Sequence, residues 1–120
     1  TPFDPTIVRR GGPETVELPD GSVVTGVDPD WQLRTPERHP ARVRWFSWDP
    51  VRGAASYELQ LRDTAGNILF TRPGIEPNYA RLPWSVRRRL EKNVDYLWIV
   101  TAVDARSAPL VRAVGRFRIE

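Results

Sequence analysis

Two segments with alternating apolar residues, joined by a turn-rich connection, constrain this chain more than any other feature. Phe46 and Trp48 lie on one side of an extended segment, and the apolar residues of the next segment also alternate. Those residues are Tyr57, Leu59 and Leu61. The connection contains Pro, Gly, Ala and Ser, which favour neither helix nor strand. Because alternate residues of a strand share a face, the pattern predicts two core strands of a β-sandwich.

Short runs of β-branched and aromatic residues recur along the chain, with turn residues between them. We predict strands over residues 42–48, 56–62, 67–72, 78–82, 95–103 and 111–119. One stretch near 84–91 favours a short helical turn, because Pro83 precedes it and Asn93 follows it. Several short strands at this spacing predict an all-β fold, an antiparallel two-sheet sandwich.

A β-hairpin is predicted ahead of the sandwich, with Pro19-Asp20-Gly21 between two runs of β-branched residues. Pro presets φ for a turn, Asp bonds to its own backbone, and Gly accepts positive φ. We therefore expect residues 1–27 to form an N-terminal extension containing this hairpin. Residues 28–120 are expected to form the sandwich.

The strand predicted over 95–103 is apolar on both faces. Tyr96 and Trp98 share the face expected in the core, whereas Leu97 and Ile99 lie on the opposite face. An apolar outer face is either covered by another part of the chain or used to bind a partner. The N-terminal segment is the expected cover, and an interaction surface is the alternative.

Composition argues against an enzyme, a metal site or a bound cofactor. The chain has no Cys, and although its one His, His39, could act as a catalytic base, the sequence has no nucleophile-elbow motif to go with it. Asp28 and Asp30 are close together but lack the Gly and distal Glu of a calcium-binding loop. No apolar run approaches a membrane span. Since the first residue is Thr1, we expect any export signal or membrane anchor to lie upstream.

The net charge is +3, and 17 of the 18 basic residues are Arg. In the last predicted strand, Arg alternates with apolar residues at Arg112, Arg116 and Arg118, which is typical of a solvated sheet face. A nucleic-acid-binding protein would concentrate its charge on one face or along a groove-entering helix. We therefore expect no nucleic-acid partner.

Candidate contact residues come from the aromatic and basic side chains that the predicted core does not use. Trp45 is out of phase with its strand, so either a β-bulge near 44–46 turns it inward or it lies on the outer face. The densest basic cluster, around Arg88, is either a solvated surface or attracted to anionic lipid or an acidic partner. The candidate partner-binding surface comprises Trp31, Trp45, Trp84, Arg87, Arg88, Leu97 and Ile99.

Two motifs resemble the fibronectin type III family. Phe46-Ser47-Trp48 with Pro50, followed by Ala54-Ala55-Ser56-Tyr57, resembles its second and third strands. Leu90 to Tyr96 resembles its tyrosine corner, with Asn93 in place of the usual Gly. The resemblance covers roughly residues 30–120 and implies a fibronectin type III-like, immunoglobulin-like sandwich.

A narrower resemblance covers the N-terminal part. Arg9-Arg10-Gly11-Gly12, then Leu18-Pro19-Asp20-Gly21-Ser22, then the sandwich, is similar to the extracytoplasmic module of bacterial anti-sigma regulators. This resemblance implies a non-catalytic interaction or sensor module in the periplasm or at the cell surface, within a larger membrane-anchored protein, with a protein partner. The alternative is a carbohydrate-binding accessory domain of a secreted or cell-surface protein, because exposed Trp rings can stack on sugars.

Overall fold

The computed structural model describes residues 14–28, 30–31, 33, 38–39 and 45–119, and almost all of its regular structure is strand. The strands are β1 (Glu14–Glu17), β2 (Val23–Val27), β3 (Arg38–His39), β4 (Trp45–Ser47), β5 (Ser56–Asp63), β6 (Ile68–Ile75), β7 (Tyr79–Arg81), β8 (Asp95–Val103) and β9 (Pro109–Ile119). The helical turn is α1 (Trp84–Arg87). Residues 1–13 of the predicted extension lie outside the described residues. In the part of the chain described, no helix has the length and apolarity needed to cross a membrane.

The strands form two sheets. The larger has the order β1-β2-β9-β8-β5-β6, with β3 also paired to β9, and the smaller contains β4 and β7. Leu33 bridges Trp48 and so extends the smaller sheet beyond β4. The predicted all-β, antiparallel two-sheet sandwich is confirmed, and it is fibronectin type III-like in its architecture.

The inner core fills the space between the two sheets. Nineteen buried hydrophobic residues form this cluster, including seven aromatic side chains. Phe46 from the small sheet meets Trp98 from the large sheet with ring centroids 4.6 Å apart, and Trp48 meets Tyr57 at 5.4 Å. Leu90, which the sequence also predicts in the core, is only half-buried at its margin. Interlocking aromatic rings therefore hold the two sheets together.

The connection between β7 and β8 closes with the predicted tyrosine corner. The backbone N–H of Glu91 donates to the Tyr96 hydroxyl at 2.8 Å. Asn93 adopts φ 62°, the left-handed conformation that the family reaches with Gly. The corner bond is the hallmark that the resemblance implies for this position, and it ties the connection to the start of β8.

The predicted hairpin is formed by β1 and β2. Its turn is closed by Leu18 N–H donating to the Ser22 carbonyl at 2.8 Å, and Asp20 accepts from the Ser22 backbone and hydroxyl. At the base of the hairpin, Val27 pairs with Arg112 of β9. The hairpin thus joins the large sheet at this pair, and its apolar side chains pack on the outer face of β8.

A second hydrophobic cluster, the outer core, lies beneath this hairpin. Its buried residues are Leu18, Val24 and Val27 of the hairpin with Leu97 and Ile99 of β8. The hairpin is therefore the part of the chain that covers the apolar outer face of β8. Of the two alternatives for this face, cover by the N-terminal segment and an interaction surface, the structure has the first.

Candidate interaction surface

The candidate partner-binding residues separate into exposed and buried groups. Trp45 and Trp84 are large hydrophobic side chains exposed by 53% and 60%, and Arg88 is exposed as well. Arg87 is half-buried. The other three members of the set, Trp31, Leu97 and Ile99, are buried within the domain.

The assignment of Trp31, Leu97 and Ile99 to an exposed surface is wrong for the folded chain. The Trp31 indole N–H donates to the Asp49 carbonyl at 2.8 Å, and its ring belongs to the inner core. Leu97 and Ile99 lie under the hairpin in the outer core. In each case, the side chain is buried by a segment that is distant in sequence, so the neighbouring residues alone do not predict its burial.

Trp45 lies on the outer face of the small sheet, beside residues from β7. In the β4–β7 register Trp45 opposes Arg81, Phe46 opposes Ala80, and Ser47 opposes Tyr79. Since Phe46 and Ala80 are buried, the alternate positions face outward. Trp45 therefore lies on the outer face and is not turned inward by a bulge, which is the other arrangement that the sequence allows. The start of the bulge predicted near 44–46 lies outside the described residues.

The outward side chains of the two strands contact one another. The Trp45 and Tyr79 ring centroids are 5.8 Å apart with ring planes inclined by 60°. The Arg81 guanidinium carbon lies 6.0 Å from the centre of the Trp45 ring, on its face. Two aromatic rings and a cation are thus held together on rigid strands.

A cleft of about 350 Å³ runs from these rings to the end of β6. Its lining also includes Arg72 and Glu76, so the cleft combines aromatic rings with charged side chains of both signs. We call this region the Trp45 surface; it comprises Trp45, Arg72, Glu76, Tyr79 and Arg81. Sequence reasoning identified only its Trp. The alternation of Tyr79, Ala80 and Arg81 shows that residues 79 and 81 share a face, but not that this face adjoins Trp45.

The free edge of β6 beside this cleft is irregular. Tyr57 pairs with Ile75 and Leu59 with Arg72, so two steps along β5 match three along β6. Pro73 lacks an N–H and Gly74 adopts φ 68°, so the extra residue forms a bulge that interrupts the edge. The bulge therefore makes this edge of β6 a poor template for the addition of another strand.

The charged groups in the described part of the chain include a carboxylate, Asp95, with two Arg neighbours. Within the described ranges, no three His, Asp or Glu side chains come together as a metal site. The pKa of Asp95 is lowered by hydrogen bonds from Arg118 and then Arg116. The two guanidinium groups thus favour the ionised form of this carboxylate.

Comparison with known proteins adds one similar fold. No protein-family model and no curated protein sequence matches the chain. Among solved structures, it is similar to a Fn3-like protein from Clostridium thermocellum, with 14% sequence identity and a TM-score of 0.45. The match covers 69% of this chain and 88% of that one. The fibronectin type III-like architecture stands on the chain's own strand order and tyrosine corner.

Proposed function

We propose that this chain is a non-catalytic protein-interaction module and that the Trp45 surface binds its partner. The observation that carries the proposal is the pairing of an exposed Trp45 with Tyr79 and Arg81 on adjacent strands. Trp, Tyr and Arg are the residues that most often dominate the energy of protein–protein binding. A Trp left half in water, beside these two neighbours, supports a contact role.

The rigidity of the underlying strands favours tight binding at this surface. Phe46 and Ala80, the inward neighbours of the exposed residues, are buried in the inner core. The outward rings therefore lose little conformational freedom when a partner covers them. Arg72 and Arg81 both line the cleft and outnumber its acidic lining residue, Glu76, which favours a partner segment carrying a carboxylate.

Carbohydrate binding is the second candidate, and the ring geometry supports it less well than protein binding. A sugar ring stacks best on a flat, open aromatic face. Trp45 and Tyr79 are inclined by 60°, and Arg81 lies over one face of Trp45. A folded partner can interlock with inclined rings, whereas a flat sugar ring requires a planar platform.

We further propose that the module works outside the cytoplasm, as the sensor or scaffold part of a membrane-anchored, anti-sigma-like regulator. This finer proposal is supported by the Leu18-Pro19-Asp20-Gly21-Ser22 hairpin placed directly before a sandwich. It assigns no sigma-binding role to any residue of this chain.

Site-specific photo-crosslinking in cells tests the Trp45 surface. Benzoylphenylalanine is placed at position 45 or 79, and at Val23 or Ile68 as controls, because both control side chains are exposed to a similar extent. We expect one and the same protein adduct from positions 45 and 79, absent from both controls. Arg81→Glu should abolish the adduct from position 45. Equal adducts at all four positions would contradict the proposal, and glycan-array binding lost in Trp45→Ala would favour the sugar-binding alternative.

A further inference from the structure

The net charge of this chain is concentrated on the connection between β7 and β8, residues 82–94. This connection holds four of the 18 basic residues, the cluster Arg87-Arg88-Arg89 and Lys92, but only one of the 15 acidic residues, Glu91. The other fourteen basic and fourteen acidic residues cancel, so the local excess equals the whole charge of +3. The rest of the molecule is electrically balanced.

The same connection holds an exposed aromatic ring. Trp84 opens α1 and is the most exposed large hydrophobic side chain among the described residues. The Arg88 guanidinium carbon lies 5.1 Å from the centre of its ring, which is a cation–π distance. An aromatic ring and a cation are therefore presented together at the surface, on a turn outside the strands of either sheet.

The connection is held firmly in place from below. Leu82 and Val86 are buried in the inner core, and the tyrosine corner fixes the backbone at Glu91. The backbone N–H of Arg88 donates to the Trp84 carbonyl at 3.0 Å, which fixes the turn that carries the ring. Trp84, Arg88 and Arg89 thus project from a rigid base.

The distribution of these charges distinguishes between ligands. Arg88 caps the C-terminus of α1 with helical backbone angles and Arg89 follows it, so successive side chains point roughly 100° apart and diverge instead of meeting at one point. A single phosphate or carboxylate is bound by donors that converge. A surface that carries many separate anionic groups can satisfy cations that diverge.

We propose that the β7–β8 connection binds the surface of an anionic lipid bilayer. Trp84 lies at the level of the headgroups, where Trp side chains concentrate. Arg88, Arg89 and Lys92 lie over the headgroups, and each contributes attraction to the negative surface. The residues are distinct from the Trp45 surface, so either proposal can fail without the other.

Vesicle sedimentation of the full chain tests the proposal, with phosphatidylcholine vesicles prepared with and without phosphatidylglycerol. We expect binding only to the anionic vesicles, weakening as NaCl is raised. The double variant Arg88→Gln/Arg89→Gln should bind about thirtyfold less tightly, given the contribution of each cation near a charged surface. Arg52→Gln/Arg106→Gln is the matched control, since both residues are exposed in other loops and the net charge falls equally.

The aromatic contribution has its own pair of variants. Trp84→Ala should weaken vesicle binding several-fold, whereas Trp45→Ala, which removes a ring of similar exposure, should leave it unchanged. Circular dichroism verifies that each variant folds. An equal loss in both charge variants, or no binding of the unaltered chain to anionic vesicles, overturns the proposal. Binding to polyglutamate without vesicle binding also overturns it and assigns the cluster to an acidic protein.

Discussion

The inner and outer cores lie on opposite faces of the same sheet and are built differently. Among the described residues, the inner core contains seven aromatic rings and is enclosed between two sheets, whereas the outer core is built from aliphatic side chains of β8, the hairpin and, at its margin, β9. Loss of the inner core separates the sheets and unfolds the domain. Loss of the outer core requires only that one hairpin lift away. Two clusters of similarly buried side chains can therefore differ in the opening that exposes them, which is global unfolding for the inner core and local opening for the outer core.

The largest expected effect is in the inner core. Trp98→Ala should lower the free energy of unfolding by about 3–5 kcal/mol, because it leaves a cavity where the ring packs on Phe46. Denaturant titration measures the change. Trp84→Ala is the control, because it removes an equally large side chain from an exposed site and should change stability by less than about 0.5 kcal/mol. A loss below about 1 kcal/mol for Trp98→Ala would contradict this account of the inner core.

The outer core should respond less. Leu18→Ala should lower the free energy of unfolding by about 2 kcal/mol or less. The effect has an upper limit because a larger destabilisation would detach the hairpin and leave the rest of the domain folded. Hydrogen exchange distinguishes the two cores. Amides of β1 and β2 should lose protection in this variant while those of β5 and β8 keep it. Equal loss of protection in all four strands would show that the two cores unfold as one unit.

Docking of the hairpin tip depends on a glycine in the β5–β6 turn. Gly66 adopts φ 94°, and a Cβ there would collide with the Asp20 carboxylate. Gly66→Ala should therefore cost about 1–2 kcal/mol, mostly from backbone strain. In a double-mutant cycle, Asp20→Ala should reduce that cost by the part due to the collision. Strict additivity of the two substitutions would mean that the tip does not contact the turn.

The smallest expected effect is the pH dependence contributed by Asp95. Arg118 and Arg116 donate to its carboxylate and hold its pKa below the ordinary value of 3.8. A carboxyl with a lowered folded-state pKa stabilises the fold above about pH 4, and this contribution disappears as pH falls through the folded-state value. Unfolding midpoints of the unaltered chain and of Asp95→Asn should therefore converge in acid. A constant difference from neutral to acidic pH would show that the ion pair contributes nothing through its protonation.

Local patterns predicted most of the fold. The alternation around Phe46 and Tyr57, and the Pro19-Asp20-Gly21 turn, depend on neighbours in sequence, so the hairpin and most strands are predicted within a few residues. The short strand β3 (Arg38–His39), which forms by pairing with distant β9, is not predicted. The tyrosine corner was equally accessible, because its bond joins Glu91 to Tyr96 within one short connection.

The candidate site was less predictable, because it depends on pairing between distant segments. Tyr79 and Arg81 meet Trp45 only because β4 pairs with β7, and no local pattern specifies that register. Trp31 lies in an irregular segment with no periodicity to indicate burial, and a bond to the Asp49 carbonyl decides its position. Whether an isolated Trp is exposed thus depends on contacts with distant segments, and sequence periodicity does not predict those contacts.

The attachment of the hairpin has a mechanical consequence. Any tension transmitted through residues preceding β1 reaches the hairpin first, and the hairpin is held by the outer core and by its junction with β9 at Val27. Because the chain has no Cys, no covalent link reinforces this attachment. A pull from the N-terminal side would therefore detach the hairpin reversibly before the force acted on the sandwich.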